Sequence, residues 1–209
     1  MPTPRVFVAG ATGATGRTVL SLESKFQVEL VPHARAQSVS SVSHARLVSG
    51  PLEGDAVAHA LKQCTTVMQL IGTMRKRFSK GDTYESSDIG TTRTLVEAAK
   101  QAGVTHFILL SSTGAGSPTG AYLKAKAAAE ALVRNSGISF TILRPSAFED
   151  REGAFFPGMR AVTELFGMKK WQPIKLRELA SALLQVAEQG GPANAVLEGQ
   201  SLWNQVKLR

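Results

Sequence analysis

Tyr122 and Lys126 stand four residues apart in an alanine-rich stretch that reads as a helix, so they share one helix face. A phenol alone is a poor acid–base group at neutral pH. An ammonium beside it favours the phenolate and makes the couple fit to move a proton. Upstream, Ser111 and Ser112 follow the apolar run 107–110, and hydroxyls at the end of a strand point into a cleft. A serine hydroxyl beside the phenol would hold a carbonyl oxygen while the tyrosine protonates it. Turn chemistry also accounts for serines at such a place, and a Tyr-x-x-x-Lys match arises easily by chance. Its place after a strand ending in two serines gives it force.

A second constellation opens the chain. The apolar residues Val6, Phe7, Val8 and Ala9 run into Gly10, Gly13 and Gly16, and a helical pattern follows at once. Gly10 permits a tight turn, Gly13 lets main chain approach a ligand, and Gly16 lets the helix pack on the strand. The N–H groups at the helix start, around Ala14, then face negative charge, and Thr12 and Thr15 add hydroxyls. The spacing is G-x-x-G-x-x-G, not the better-known G-x-G-x-x-G. Three glycines also make a plain small-residue turn, but a strand before and a helix after favour a pyrophosphate site. Next comes the end of the second apolar run, Pro32, His33, Ala34, Arg35. NAD sites place a carboxylate there for the ribose 2′-hydroxyl, and an arginine accommodates a 2′-phosphate. The chain has Arg35, with His33 nearby, and no carboxylate, which predicts NADP(H) over NAD(H).

The elements that must carry these groups follow from periodicity. Strands are expected at 28–31, 47–48, 67–71, 107–110, 140–143 and 195–198, after the first at Val6. Helices are expected after Gly13 and at 55–63, 88–102, 122–135 and 176–189. The strands are continuous apolar runs, the mark of strands buried on both faces. Alternation of strand and helix gives an α/β, doubly wound parallel sheet of about seven strands, a Rossmann fold, with ligands beyond the carboxyl ends. Residues 149–175 are less regular and suit the substrate side. No linker or repeat interrupts the 209 residues, so one domain, 1–209, is expected.

With 43% hydrophobic residues the chain can bury a full core, yet no stretch has the length of a membrane span. The apolar run after Arg5 is four residues long, which predicts no secretory leader. One cysteine, Cys64, excludes an internal disulfide and fits a reducing, cytoplasmic setting. Four histidines lack metal-ligand spacing, so no metal is expected. The net charge of +8 suits nucleic acid, a membrane surface or an anionic cofactor. The basic run at 75–80 lacks the interleaved aromatics of a single-strand-binding surface and reads as a solvated loop, so nucleic acid is disfavoured.

These residues resemble the atypical short-chain dehydrogenase/reductases, with NmrA-like NAD(P)-binding proteins as wider relatives and the Tat-interactive oxidoreductase-like subfamily nearest. The likeness runs through the Gly10, Gly13, Gly16 turn, Leu70, Ile71, Gly72 and Thr73 with Arg75, and His106 to Ser112. It continues through Tyr122, Leu123, Lys126, Glu130, Arg144 and Pro145. The resemblance implies a Rossmann fold binding NADP(H), with Ser112, Tyr122 and Lys126 in the Ser/Tyr/Lys roles. It also places Ile71, Gly72, Thr73, Ser111, Lys126 and the backbone of Arg144, Pro145 and Ser146 along the cofactor. Where relatives carry Gly-Asp after strand three, this chain has Gly50 and Pro51, so adenine recognition there differs. Its C-terminal part is shorter than in extended reductases, which leaves the substrate pocket small or open. The family implies a reductase acting on a small molecule; the sequence leaves monomer and dimer both open. Its regulatory members imply the alternative, a non-catalytic NADP(H) sensor that binds a macromolecular partner such as a protein.

Overall fold

The computed structural model describes residues 2–72, 83–149 and 158–207. Seven parallel strands form one sheet in the order β3-β2-β1-β4-β5-β6-β7. They are β1 (Arg5–Ala9), β2 (Glu29–Ala34), β3 (Val48–Ser49), β4 (Thr66–Gln69), β5 (His106–Leu110), β6 (Ser139–Arg144) and β7 (Ala195–Glu198). The order reverses between β1 and β4, which opens a crevice at their carboxyl ends.

Both faces of the sheet are covered, which is why its strands lack polar alternation. Val6 and Val8 of β1 pack with α1 (Ala14–Leu22) and α6 (Leu176–Gln189) through Val19, Leu22, Leu179 and Leu183. Phe7 and Ala9 point the other way, into α2 (Asp55–Leu61), α3 (Thr91–Ala102) and α4 (Gly120–Arg134). Cys64 lies buried just beyond α2, and burial pushes its thiol up to about 11.

Three expectations need correction. The helix expected from Asp88 begins at Thr91, because Glu85–Gly90 is wound as a wider π-type turn. The second strand extends through His33 and Ala34, which pair with Val48 and Ser49. Residues 149–173, read as irregular, contain α5 (Met159–Leu165), and α7 (Gln200–Lys207) closes the described chain. Leu165 and Phe166 are exposed, so α5 lacks the buried stripe that periodicity detects. Among the described residues no helix is long and apolar enough to cross a membrane.

Candidate dinucleotide cleft and proton-transfer residues

The glycine turn is built by close approach. Gly10 has φ +94°, and a Cβ there would meet the Ile71 nitrogen at 2.9 Å, so β1 and the end of β4 touch only because it is glycine. A Cβ on Gly16 would overlap the Gly10 carbonyl oxygen, so α1 sits tight on the turn. Gly13 caps α1 without a side-chain hydrogen bond, and its N–H donates to Gly10 at 3.0 Å. The first-turn N–H groups of α1, beginning at Ala14, are therefore open to an anion. Arg17 adds positive charge as it donates to the Thr12 carbonyl.

These groups form one wall of a cleft of about 580 Å³. Gly10, Thr12 and Gly13 line it on one side, Leu70, Ile71 and Gly72 on another. The far end is lined by His33, Ala34, Arg35, Ser38 and Ser41, with Pro51, Leu52 and Glu53 across from them. Ser86, Ser87 and Thr91 complete it from the wide turn before α3. Thr15 and Gly16 are buried behind this lining. Arg35 is exposed and, among the described residues, its guanidinium makes no hydrogen bond or ion pair, while its carbonyl accepts from the Ser38 N–H at 2.8 Å. His33 is buried, Nε2 against the Gly50 carbonyl at 2.9 Å. Burial lowers its pKa below the ordinary value, helped by the nearby Arg35 charge and opposed by that hydrogen bond. Backbone approach, open helix N–H groups and a free guanidinium at one end fit a dinucleotide.

The residues expected to transfer a proton lie near this cleft without lining it. Lys126 is buried, its Nζ 2.8 Å from Asp88 Oδ1 and 3.4 Å from the Leu110 carbonyl oxygen. It reaches the cleft wall at Gly72, where a Cβ would come within 2.9 Å of Nζ. Tyr122 is 38% exposed, with Lys126 Nζ 5.9 Å from its ring centroid. Ser112 is half-buried, its hydroxyl donating to the Thr113 carbonyl at a long 3.5 Å. Among the described residues no hydrogen bond joins Ser112 to Tyr122.

Ser111 and Arg144 lie in a separate, buried network. The Ser111 hydroxyl donates to Glu130 at 2.6 Å, and Arg144 grips the same carboxylate through Nε at 2.8 Å and Nη2 at 2.6 Å. Burial raises the Glu130 pKa, but hydrogen bonds from Arg144 and Ser111 outweigh it and hold the carboxyl below its ordinary value. The bonds to Glu130, with the Glu198 charge, raise Arg144 above its ordinary value. The Arg144 and Pro145 carbonyls accept from Thr113, and the Ser146 hydroxyl donates to the Gln172 carbonyl. This network holds the 111–116 loop, where a Cβ on Gly116 would meet Arg144 Nη1 at 2.7 Å and push that end of the guanidinium aside. Thr73 and residues 75–80 lie outside the described residues. Sequence reasoning missed Ser38, Ser41, Glu53, Ser86, Ser87, Asp88 and Thr91. Of these, Asp88 alone entered the sequence reading, as the first residue of the expected helix 88–102.

An NAD(P)H-binding family model matches residues 10–189. The chain belongs to that family. It is 32% identical to "Protein TIC 62, chloroplastic" of Pisum sativum over 181 residues, 72% of this chain and 34% of that protein. It thus spans about a third of that relative's length. Among solved structures it resembles a short-chain dehydrogenase/reductase superfamily protein from Agrobacterium tumefaciens with bound NAD, at TM-score 0.68 and 20% identity. That match covers 93% of this chain and 77% of the other. Triphenylmethane reductase of Citrobacter sp., complexed with NADP(H), matches at TM-score 0.67 and 20% identity, over 93% of this chain and 69% of that one. The family marks the chain as NAD(P)H-binding, and the sheet order shared with these neighbours shows a Rossmann-like fold.

Proposed function

We propose that the chain is an NADPH-dependent reductase of the NmrA-like kind that passes hydride to a carbonyl or conjugated small molecule. The observation that carries the cofactor preference is Arg35. Its guanidinium lines the cleft where the strand-two end meets an adenosine ribose, with the Ser38 and Ser41 hydroxyls on the same wall. No carboxylate stands between Ala34 and Ser41 to prefer a 2′-hydroxyl. A bound nicotinamide supplies the hydride. Lys126 holds the nicotinamide-side ribose from behind Gly72, Tyr122 delivers the proton to the substrate oxygen, and Ser112 hydrogen-bonds that oxygen. The Thr113 hydroxyl is 3.5 Å from the Lys170 carbonyl oxygen, so the turn bearing exposed Met168 and Trp171 packs beside the loop carrying Ser112. That apolar surface suits an uncharged substrate. The single cysteine suits a cytoplasmic setting, and 1–209 is read as one domain.

The test is a fluorescence titration with NADPH and NADH in the wild type and in Arg35→Ala. The reading expects NADPH to bind more tightly and to lose about tenfold or more in the variant, with NADH little changed. Equal affinity for both nucleotides in both proteins would remove the NADP preference. Binding of neither would remove the function.

A further inference from the structure

Ser38 and Ser41 reach the cleft from a short 3₁₀ turn, Ala36–Ser41, that buries none of its own residues. Its root is fixed where β2 pairs with β3, His33 with Val48 and Ala34 with Ser49. Between Arg35 and Leu47 the chain leaves the sheet, and Val42 is the buried residue of that excursion. One apolar contact fixes a point but lets the turn pivot about it. A further constraint must set where the serines stand.

That constraint comes from Glu23, at the carboxyl end of α1. Its Oε1 accepts from the Leu30 N–H of β2 at 2.7 Å and from Arg46 Nη2 at 2.6 Å, and its Oε2 lies 2.8 Å from His44 Nε2. The Arg46 N–H donates to His44 Nδ1 at 3.2 Å, so the ring carries its proton on Nε2 and donates to the carboxylate. Arg46 Nε also donates to the Leu30 carbonyl at 2.9 Å. Two side chains thus serve the edge of β2 where β3 is too short to reach it. A carboxylate is disfavoured at the C-terminal end of a helix. Burial also raises the Glu23 pKa, yet hydrogen bonds from His44, the Leu30 N–H and Arg46 outweigh it and hold the carboxyl below its ordinary value.

We infer that Glu23 is a positioning residue for cofactor selectivity: through His44 and Arg46 it fixes the 36–41 turn so that the Ser38 hydroxyl and Arg35 form a ready site for a ribose 2′-phosphate. This rests on the reading that Arg35 meets that phosphate. An arginine grips two phosphate oxygens at most in its bidentate geometry. Ser38 closes one turn with Arg35, its N–H donating to the Arg35 carbonyl at 2.8 Å, which leaves its hydroxyl for a third oxygen. The Ser41 hydroxyl donates to the Ser38 carbonyl at 2.7 Å and stiffens the turn. Ordering this wall during folding spares cofactor binding that cost. A cofactor without the 2′-phosphate gains nothing from it.

Affinities for NADPH, NADH and 2′,5′-ADP, which carries the 2′-phosphate and lacks the nicotinamide half, are read by calorimetry in wild type, Glu23→Gln, Arg35→Ala and the double variant. Glu23→Gln is expected to weaken NADPH and 2′,5′-ADP about tenfold and to leave NADH within about twofold, so the preference for NADPH over NADH falls. A role confined to the stability of the fold would weaken both nucleotides together and leave that preference alone. In the Arg35→Ala background Glu23→Gln is expected to cost NADPH less than about twofold, because the effect runs through the 2′-phosphate grip. Where Glu23→Gln folds poorly, His44→Ala, which opens the clamp from the other side and keeps the pair of Glu23 with Arg46, is expected to lower the same preference. An unchanged preference in a folded clamp variant, or the full loss persisting in the Arg35→Ala background, would overturn the role of Glu23 and leave the NADPH reading standing. A wild-type chain that binds NADPH no more tightly than NADH would overturn that reading and the inference with it.

Discussion

Arg144 and Glu130 form a two-armed, buried ion pair that ties the end of β6 to the middle of α4. Ser111 joins from β5, and Glu198 at the end of β7 stands 3.5 Å from Arg144 Nη1. Three strand ends and one helix thus meet in one charge cluster beside the loop that carries Ser112. Lys126 and Glu130 lie one turn apart on α4, so fixing Glu130 also fixes the helix that bears Tyr122 and Lys126.

Glu130→Gln keeps the shape and removes the charge, leaving Arg144 buried with only the more distant Glu198. A broken buried pair of this kind costs about 3 kcal/mol or more. Urea unfolding at neutral pH should show that loss, and Glu130→Leu with Arg144→Met should recover most of it, since no lone charge then remains.

Gly16→Ala addresses the turn. Its Cβ would overlap the Gly10 carbonyl oxygen, a backbone atom that cannot swing aside. The helix must back away from the strand, and overpacking of this kind costs about 1–3 kcal/mol. Both NADPH and 2′,5′-ADP should bind more weakly, because the open N–H groups of α1 move with the helix. Calorimetry with both ligands reads that loss.

Much of this was legible in the chain. Continuous apolar runs bounded by Gly and Pro identify a parallel sheet, because strands buried on both faces have no polar side to show. The glycine spacing marks the cleft because close backbone approach demands a residue without a side chain, and Arg35 lines that same cleft. Asp88 was not legible as a site residue. Its type suits a first helical turn equally well, and its ion pair with Lys126 joins two elements far apart in the chain. The pairing of Ser111 with Glu130 was likewise hidden, since β5 and α4 supply its halves. α5 escaped because it exposes Val162, Leu165 and Phe166 and so has no apolar stripe facing a core.

His106 gives the fold a pH dependence of known sign. It is 5% exposed at the start of β5, Nε2 is 2.9 Å from the Thr141 hydroxyl, and burial lowers its pKa from 6.5 to about 4. The unfolded chain takes up a proton near pH 6.5, whereas the folded chain resists until about 4. This contribution is whole above 6.5 and is lost as pH falls toward 4, by about 3 kcal/mol in all. His106→Leu should flatten that stretch of the stability–pH curve measured by urea unfolding. The Thr141 hydroxyl stays satisfied in the variant, because it donates to the Pro192 carbonyl at 2.7 Å.

Tyr122→Phe isolates the proton-transfer step. The phenol is 38% exposed, and its ring is kept in place by Tyr84 on one side and the Lys126 ammonium on another. Phenylalanine retains both ring contacts and loses only the hydroxyl, so the fold and NADPH affinity should stay within about twofold of wild type. Removing a positioned proton donor typically costs about 10²–10⁴-fold in rate. A carbonyl-substrate screen followed by single-turnover oxidation of bound NADPH should show that loss in the chemical step with cofactor binding retained. A phenylalanine variant that turns over like wild type would take Tyr122 out of the mechanism and leave the proton to water at the open substrate side.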